Sequence, residues 1–320
     1  MVAVVVAHDG ALWLTRTLAA IAEQSREVDA VVGVDTGSRD GSADLLRQHL
    51  GAGQVVEVGR RTGFGAAVRA GLEHLQGAPT DADEIPGADW IWLLHDDSAA
   101  GPGALEHLLD AAAASSQVGV VGPKLVAWDD PTRLLEAGLT VSRGGRRVTG
   151  IADDERDQGQ HDHRTDVLAV GTAGMLVDRA LWDLLGGLDP ALPLLRDDID
   201  LCWRAHLAGR RVVLAPRAVV ADAQAATRGL REVDAVRAPL RRVDRRASLQ
   251  VALARCSWPA LPILWAWLLV GGVARSLALL LAKAPRRAAD ELLVTLAVTA
   301  TPWTWLGSRW RARGTRRVRR

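Results

Sequence analysis

The chain has 320 residues, 48% of them hydrophobic and 24% charged, a balance that supports a large buried core and excludes a disordered protein. The two cysteines are too few for a disulfide framework, and without a CxxC pair they also argue against a structural zinc site. The net charge of +1 conceals an acidic body and a basic C-terminal part, because residues 228–320 hold 19 Lys and Arg but only 5 Asp and Glu.

The first 122 residues alternate short apolar runs with helical patterns. The runs predict strands at 2–7, 28–34, 54–58, 88–94 and 118–122, separated by helices at 13–21, 40–50, 65–75 and 102–114. No basic segment precedes the first strand, so a signal peptide is not expected. The alternation predicts an α/β fold, a mostly parallel sheet with helices on both faces.

The next hundred residues are less regular. Gly144 and Gly145 lie between the apolar residues 139–141 and Val148, a pattern typical of a hairpin. The polar segment 151–166 is predicted to be a loop, and the histidines at 161 and 163 are interpreted as solvated because no third ligand lies nearby. The pattern then predicts a strand at 167–177, helices at 179–185 and 197–208, and a strand at 212–214.

The basic C-terminal part predicts membrane contact. Residues 228–255 are compatible with a helix, and 256–274 and 292–308 are uncharged stretches of 19 and 17 residues, at the lower limit of a membrane span. Arg clusters and Trp residues flank both stretches, as at a membrane interface. We therefore expect a domain at 1–227, a helical membrane-associated region at 228–320, and an anionic membrane surface as a partner. Arg275 would be costly at mid-bilayer, so spanning and interfacial helices both stay open.

Nucleic acid is the other anionic partner that a basic region suggests. Tyr is absent and Phe64 is the only Phe, which disfavours the aromatic sheets that stack RNA bases. With hydropathy favouring the membrane, no nucleic-acid partner is expected.

Acidic side chains lie where predicted strands end. Asp35 ends the second strand, and Asp96 and Asp97 follow the fourth. Ligands of open α/β sheets bind at this edge, and paired carboxylates suit Mg²⁺ or Mn²⁺. Capping of a turn or helix is the alternative for any one of them, but three acids on one edge favour a ligand site.

Two further segments carry chemical signals. The loop Gly-Arg-Arg-Thr-Gly-Phe-Gly-Ala-Ala at 59–67 opens a helix and suits a phosphate group, but as a lone motif it fits a plain turn better. The segment 194–204 crowds Asp197, Asp198, Asp200 and Arg204, and such crowding sets carboxyl pKa values apart and can supply a general base. Asp200 and Arg204 are interpreted as an i,i+4 ion pair; Asp198 is the preferred base, with Asp197 as the alternative.

Five motifs follow one another along the chain. They are Val-Val-Val-Ala-His-Asp at 4–9, Asp-Thr-Gly-Ser-Arg-Asp-Gly-Ser at 35–42, Gly-Phe-Gly-Ala-Ala at 63–67, His-Asp-Asp at 95–97, and Gly-Gly-Leu-Asp with Asp-Asp-Ile-Asp-Leu-Cys-Trp-Arg within 186–204. As an ordered set covering residues 1–225, they resemble the inverting family 2 glycosyltransferases of the GT-A fold, bacterial membrane-associated type. The resemblance implies sugar transfer from a nucleotide-diphosphate donor with inversion at the anomeric carbon.

The resemblance also implies roles for individual residues. Asp198 is the expected base that deprotonates the acceptor hydroxyl. The divalent cation, Mg²⁺ or Mn²⁺, is expected on Asp97 and on Asp222, which stands where the family often has a histidine. The nucleotide-sugar is expected to contact a set of residues at the sheet edge and in the 63–69 loop: Ala7, His8, Asp9, Asp35, Gly63, Gly65, Arg69 and Asp96.

Besides Asp222, two further departures and two alternatives accompany the resemblance. His95 replaces the first acid of the family's DxD motif, and the QxxRW motif of processive synthases is absent, so one or few transfers are expected. The expected acceptor is a lipid-linked saccharide or envelope glycan at the cytoplasmic face of the plasma membrane. A sugar-1-phosphate nucleotidyltransferase is disfavoured because residues 7–12 lack a Gly-rich basic loop. A degenerate nucleotide-binding scaffold is disfavoured by the retained Asp97 and Asp198.

Overall fold

The computed structural model describes residues 1–77, 89–236 and 238–314, with side chains to residue 312; the predicted start of the fourth strand at residue 88 lies outside them. The strands of the described residues are β1 Val2–Ala7, β2 Ala30–Asp35, β3 Val55–Glu57, β4 Trp90–His95, β5 Ser98–Ala100, β6 Val118–Ala127, β7 Leu134–Glu136, β8 Thr140–Val141, β9 Arg147–Val148, β10 Leu176–Asp178 and β11 Arg211–Asp222. The α-helices are α1 Ala11–Ala22, α2 Ser42–Leu50, α3 Phe64–Gly77, α4 Ala104–Ala113, α5 Arg179–Leu185, α6 Asp197–Leu207, α7 Leu240–Arg255, α8 Leu261–Leu281, α9 Pro285–Ala300 and α10 Pro302–Gly314.

One mixed sheet forms the centre of the molecule. Its strand order is β3-β2-β1-β4-β10-β6-β11-β5, with β7 paired to β6. The first four strands are parallel, β10 is antiparallel to both of its neighbours, and β11 is parallel to β6. Alternate residues of β1 enter two separate apolar cores, one on each face of the sheet. Because helices cover both faces, the predicted fold class is confirmed.

Three predicted elements differ from the structure. The strand expected at 167–177 is reduced to β10, because Gly174 has a φ of +81° that ordinary strand residues do not adopt. The helix expected at 228–255 begins only at Leu240. Gly229 has a left-handed backbone conformation, and the residue before Pro239 is restricted away from helical backbone angles. The uncharged stretch 292–308 is divided at Pro302, where α10 begins.

The C-terminal helices pack on the α/β body. Ala247 and Val251 of α7 enter the same core as α3 and α6. Arg255 at the end of α7 forms a buried ion pair with Asp200 of α6, and Arg311 of α10 pairs with Asp189 at 2.5 Å. The division of the chain at 227/228 stays a prediction.

Candidate active site

The carboxyl ends of β1, β2 and β4 meet at one edge of the sheet. Ala7 of β1 lies opposite Asp35 of β2, and Val6 lies opposite His95 of β4. The acids that follow β4 and the histidine that follows β1 are therefore brought together. Thr36 links the loop that follows β2 to the loop that follows β1. Its hydroxyl donates to the Ala7 carbonyl at 2.9 Å and contacts Nδ1 of His8 at 2.7 Å.

A cavity of about 190 Å³ opens at this edge. Five of the predicted or alternative site residues line it: His8, Asp97, Asp197, Asp198 and Asp222. The other predicted residues are not among the lining residues: Ala7, Asp9, Asp35, Gly63, Gly65, Arg69 and Asp96. The cavity is smaller than the roughly 300–1,000 Å³ of ordinary ligand pockets, and residues 226–227, 231–235 and 240 line one side of it.

Asp97 and Asp222 form the part of the site that fits a metal ion. Oδ2 of Asp97 accepts a hydrogen bond from the Ala225 amide at 2.8 Å, whereas Oδ1 is buried without any hydrogen bond. Burial, reinforced by the charge of Asp97, raises the pKa of Asp222 to about 7. An unpartnered carboxylate oxygen beside a second crowded acid matches the hard oxygen ligands that Mg²⁺ and Mn²⁺ prefer.

Both carboxylate oxygens of Asp96 accept hydrogen bonds from within the chain. The His8 amide donates to its Oδ2 at 2.7 Å, and Arg231 donates to its Oδ1 at 2.5 Å. Burial raises the pKa of Asp96 to about 6, although the positive charge of Arg231 opposes this shift. Asp96 therefore holds the end of β1 and Arg231 in place, and its contact with the nucleotide-sugar stays a prediction.

Residues 224–236 and 238–239, which we call the strap, lie between β11 and α7, and part of the strap lines the cavity. Nη2 of Arg231 lies 3.6 Å from Oδ1 of Asp97, which forms no hydrogen bond. Asp234 lies 3.3 Å from Nε2 of His8 and 2.8 Å from Arg60. The strap thus puts a positive charge beside Asp97. Sequence reasoning missed Arg231 and Asp234, because this segment was assigned to a basic helix and carries no motif.

Asp9 is held by an arginine that the sequence analysis did not single out. It forms an ion pair with Arg60 of the 59–67 loop and accepts from the Arg39 amide at 2.7 Å. The hydrogen bond with Arg60 is the main cause that lowers the pKa of Asp9 to about 2. Among the described residues, one trio places three acidic or His ligand atoms within 4.8 Å of one another, namely His8, Asp9 and Asp234. Arg60 already neutralises both acids, so this trio does not need a metal.

Asp35 keeps one acceptor free. Its Oδ2 accepts from the amides of Gly37 at 2.9 Å and Ser38 at 3.0 Å. Its Oδ1 is buried without a hydrogen-bond partner, and such atoms are rare in folded proteins unless a ligand or water completes them. This arrangement fits the predicted contact with the nucleotide base, which stays a prediction.

The loop at 63–69 packs against the segment that precedes α6. A Cβ atom on Gly63 would lie 2.5 Å from the Pro193 carbonyl oxygen, and one on Gly65 would lie 2.7 Å from Cβ of Leu188. Arg69 donates to the Gly186 carbonyl at 3.1 Å. Close packing therefore accounts for both glycines, and contacts of this loop with the nucleotide-sugar stay predictions.

The start of α6 supplies the acids on the opposite side of the cavity. Oδ2 of Asp198 lies 3.7 Å from Nε of Arg147. Burial, with the charge of Asp198, raises the pKa of Asp197 to about 7. Asp200 and Arg204 form the predicted i,i+4 pair at 2.6 Å, and Arg204 also donates to the carbonyls of residues 185 and 187 at 2.8 Å. This pair supports the helix, which leaves Asp197 and Asp198 to face the cavity.

Arg147 of β9 is the second cation of the site and was also missed. It pairs with the buried Glu136 of β7, which accepts from the Gly171 amide at 2.6 Å. Burial by itself would lower the pKa of Arg147, but Glu136 and Asp198 together raise it. The hairpin was predicted, but no spacing in the sequence links residue 147 to residue 198.

His95, the departure from the DxD motif, packs within the site. Its ring centroid lies 4.5 Å from that of Phe64, and its Nε2 contacts the Thr172 hydroxyl at 2.9 Å. Burial lowers the pKa of His95, which favours the neutral ring.

An α/β sheet of this order, with acids at the carboxyl edge and at the start of α6, defines the class of GT-A glycosyltransferases. The chain belongs to glycosyltransferase-like family 2, since the family model matches residues 1–242. The predicted enzyme class is confirmed: the protein is a glycosyltransferase.

Curated relatives come from Mycobacterium tuberculosis. The chain is 27% identical over 226 residues to an N-acetylglucosaminyl-diphospho-decaprenol L-rhamnosyltransferase, covering 68% of this chain and 73% of that one. It is 33% identical over 159 residues to the galactofuranosyltransferase GlfT1. That match covers 48% of this chain and 49% of GlfT1.

Solved structures share the fold. Mannosyltransferase PcManGT from Pyrobaculum calidifontis, in complex with GDP-Man and Mn²⁺, is similar with a TM-score of 0.50 and 20% identity, over 98% of this chain and 85% of that one. GalNAc-T7 with UDP, GalNAc and Mn²⁺ is similar with a TM-score of 0.52 and 14% identity, over 69% of this chain and 43% of that one.

Proposed function

We propose that the protein transfers a sugar, with inversion, from a nucleotide-diphosphate donor to a lipid-linked or envelope glycan acceptor. The observation that carries this proposal is one cavity with two acidic sides. Asp97 and Asp222 lie on the side of the sheet edge, and Asp198 lies on the side of α6. The nucleotide-sugar named for PcManGT and the lipid-linked acceptor named for the rhamnosyltransferase support the two substrate classes.

The sheet edge is the proposed donor side. The free Oδ1 of Asp35 receives the nucleotide base, and Asp97 with Asp222 hold a divalent cation, Mg²⁺ or Mn²⁺. When bound, such a cation stabilises the negative charge of a diphosphate leaving group as a Lewis acid. The Mn²⁺ named for both structural relatives supports this assignment.

Asp198 is the proposed base on the acceptor side. It takes the proton of the acceptor hydroxyl as that oxygen attacks the anomeric carbon from the face opposite the diphosphate. A single displacement with no carboxylate nucleophile inverts the anomeric centre, by the same geometry that separates inverting from retaining glycosidases. Arg147, 3.7 Å from Asp198, orients the carboxylate.

A donor screen tests the proposal. The full chain in detergent is incubated with a panel of nucleotide-diphosphate sugars, with Mn²⁺ or with EDTA, and its melting temperature is measured. A ligand at a hundred times its dissociation constant stabilises the fold by about 2.7 kcal/mol. We expect one donor to raise the melting temperature by several degrees with Mn²⁺ only. Equal shifts with EDTA would contradict the metal site.

The outer face of α8 is the proposed membrane contact. Leu261–Leu281 is, among the described residues, the helix long and apolar enough to cross a membrane, with a mean hydropathy of 1.8. Its inner positions 268, 272 and 276 are buried, and the Ser276 hydroxyl donates to the Ala288 carbonyl of α9 at 2.9 Å. Its outer face exposes large apolar side chains: Ile263, Trp267, Val270, Val273, Leu277, Leu280 and Leu281.

The packing of α8 supports a position in the plane of the interface. Arg275 of α8 pairs with Glu291 of α9 at 2.8 Å, and Arg245 of α7 binds the same carboxylate at 2.8 Å. Because α7 is packed into the core of the body, α8 is held on it along one side. The opposite side is free to enter an anionic leaflet, at the cytoplasmic face, where nucleotide-sugars are supplied.

Vesicle flotation tests the membrane contact. We expect the full chain to float with phosphatidylglycerol vesicles in about 1 M NaCl, where the Debye length is only about 3 Å, because apolar burial does not depend on salt. Replacing Val270 and Leu277 together by Glu should abolish flotation, since each loses about 1.5–3 kcal/mol of apolar burial. Leu12→Glu, at a position 82% exposed on α1, is the matched control. Release of the wild type by salt alone would contradict the apolar contact.

A further inference from the structure

A basic groove adjoins the cavity on the side of Asp198. It has a volume of about 570 Å³ and its lining contains three arginines and no acid: Ser142, Arg146, Arg147, Val148, Thr149, Gly150, Ile151 and Arg196. Arg147 and Arg196 also line the active-site cavity. The groove and the cavity therefore meet at these two side chains, beside the proposed base.

The positive charge of the groove is only partly neutralised. Arg147 pairs with Glu136 and Arg196 pairs with Asp244, but Arg146 is exposed and forms no ion pair with the described residues. All three side chains line the same groove. Burial is the main cause that lowers the pKa of Arg196; Asp244 and Asp198 oppose this shift, and the charges of Arg147 and Arg146 add to it.

Two guanidinium groups have fixed positions beside the groove. Arg147 pairs with Glu136, and its Nε, which forms no hydrogen bond, lies 3.7 Å from Oδ2 of Asp198. Arg196 directly precedes α6, and its side chain is held by Asp244 and Ser248. The groove therefore has two anchored arginines, with Arg146 beside them.

The groove is connected to the apolar helix by further basic residues. The partners of Arg196 are Asp244 and Ser248 of α7, the helix that leads to α8. Arg245 of α7 and Arg275 of α8 both pair with Glu291 of α9. Contacts through α7 therefore link the groove to the proposed membrane-contacting helix.

We propose that the groove binds the phosphate or diphosphate group of the acceptor, with its apolar chain running toward α8 and its sugar hydroxyl reaching Asp198. This inference rests on the proposed function and specifies the chemical class of its acceptor. Arginine suits the site because a guanidinium binds phosphate oxygens through paired, charge-assisted hydrogen bonds. The donor diphosphate is not the occupant, since Asp97 and Asp222 line the cavity and not the groove.

Direct binding tests the groove without requiring turnover. The affinities of farnesyl diphosphate, farnesol and inorganic pyrophosphate for the full chain in detergent are measured by titration calorimetry. We expect Arg146→Gln to weaken the binding of farnesyl diphosphate at least about tenfold, which is the loss that one charged hydrogen bond implies. Arg143 is an exposed neighbour in the same hairpin and does not line the groove, so Arg143→Gln should change this affinity less than about twofold. Tighter binding of farnesyl diphosphate than of pyrophosphate assigns the site to a lipid-linked acceptor, and equal binding assigns it to a free phosphate ester.

Other results would overturn the inference. Farnesol binding as tightly as farnesyl diphosphate would show that the groove does not recognise phosphate. Equal losses in Arg146→Gln and Arg143→Gln would show a general charge effect. If no nucleotide-sugar is turned over by the wild type, the proposed function fails, whereas the binding measurement still tests the groove. In a chain that does turn over donor, Arg146→Gln should raise KM for a diphosphate-linked acceptor more than it lowers kcat.

Discussion

Asp198→Asn should lower kcat for sugar transfer by roughly 10²–10⁴-fold while leaving the affinity for the nucleotide diphosphate nearly unchanged. A general base acts on the proton that moves in the transition state, so its loss appears in kcat and not in ground-state binding. The amide has the shape of the carboxylate, so it still fits beside Arg147 and accepts from the Ile199 amide, which Asp198 binds at 2.7 Å. Initial rates at saturating donor and acceptor measure the effect.

Two comparisons make the Asp198 experiment specific. Asp110→Asn, on the exposed surface of α4, serves as the matched control for loss of one carboxylate. Asp197→Asn tests the alternative, because Asp197 lines the same cavity and its pKa is raised to about 7, close to the value that suits a base at neutral pH. If Asp198→Asn keeps the wild-type rate within a few-fold while Asp197→Asn loses it, the base is Asp197.

The sheet edge could be predicted because its residues belong to regular local patterns. Alternating apolar runs located β1, β2 and β4, and parallel strands bring their carboxyl ends to one edge. Asp35 and Asp97 were therefore expected at that edge from strand ends, where the structure has them, and His8 from the family resemblance; their roles stay predictions. Asp198 was predicted from an acidic cluster at the start of a helix. Such a cluster can be recognised in the sequence because residues within one helix turn are also close together in the folded protein.

The cations of the site could not be predicted in the same way. Arg60, Arg147 and Arg231 reach the acids from three separate segments, across sequence separations of 51, 11 and 135 residues to Asp9, Glu136 and Asp96. Each arginine looks like an ordinary surface residue locally, since only tertiary packing decides which acid it meets. The strap was misassigned for a related reason: its helix-compatible composition is overridden by Gly229 and Pro239 and by the ion pairs that Arg231 and Asp234 make.

Asp97→Ala should abolish the part of nucleotide-diphosphate binding that depends on the divalent cation. The substitution removes the buried Oδ1, which forms no hydrogen bond and is the oxygen best placed for a hard cation, together with the acceptor of the Ala225 amide. We expect the nucleotide-diphosphate affinity measured with Mn²⁺ to fall to the value measured with EDTA. The melting temperature of the ligand-free variant, and Asp110→Asn as the control for carboxylate loss, separate this effect from unfolding.

Arg231→Gln should have the opposite effect on the same site. The Arg231 guanidinium forms an ion pair with Oδ1 of Asp96 and lies 3.6 Å from Oδ1 of Asp97. Its positive charge therefore competes with a metal cation for these carboxylates. If the arrangement with Arg231 on these acids is populated at about 90% and excludes the metal, it lowers the apparent Mn²⁺ affinity about tenfold. Removing the guanidinium should therefore raise the Mn²⁺ affinity by a similar factor. Electron paramagnetic resonance of free Mn²⁺ measures this without nucleotide or turnover. Arg228→Gln, in the same strap but without an ion pair to these acids in the described residues, is the matched control. A fall in Mn²⁺-independent nucleotide binding in Arg231→Gln, with no gain in Mn²⁺ affinity, would instead make Arg231 a permanent partner of the diphosphate and exclude competition with the metal.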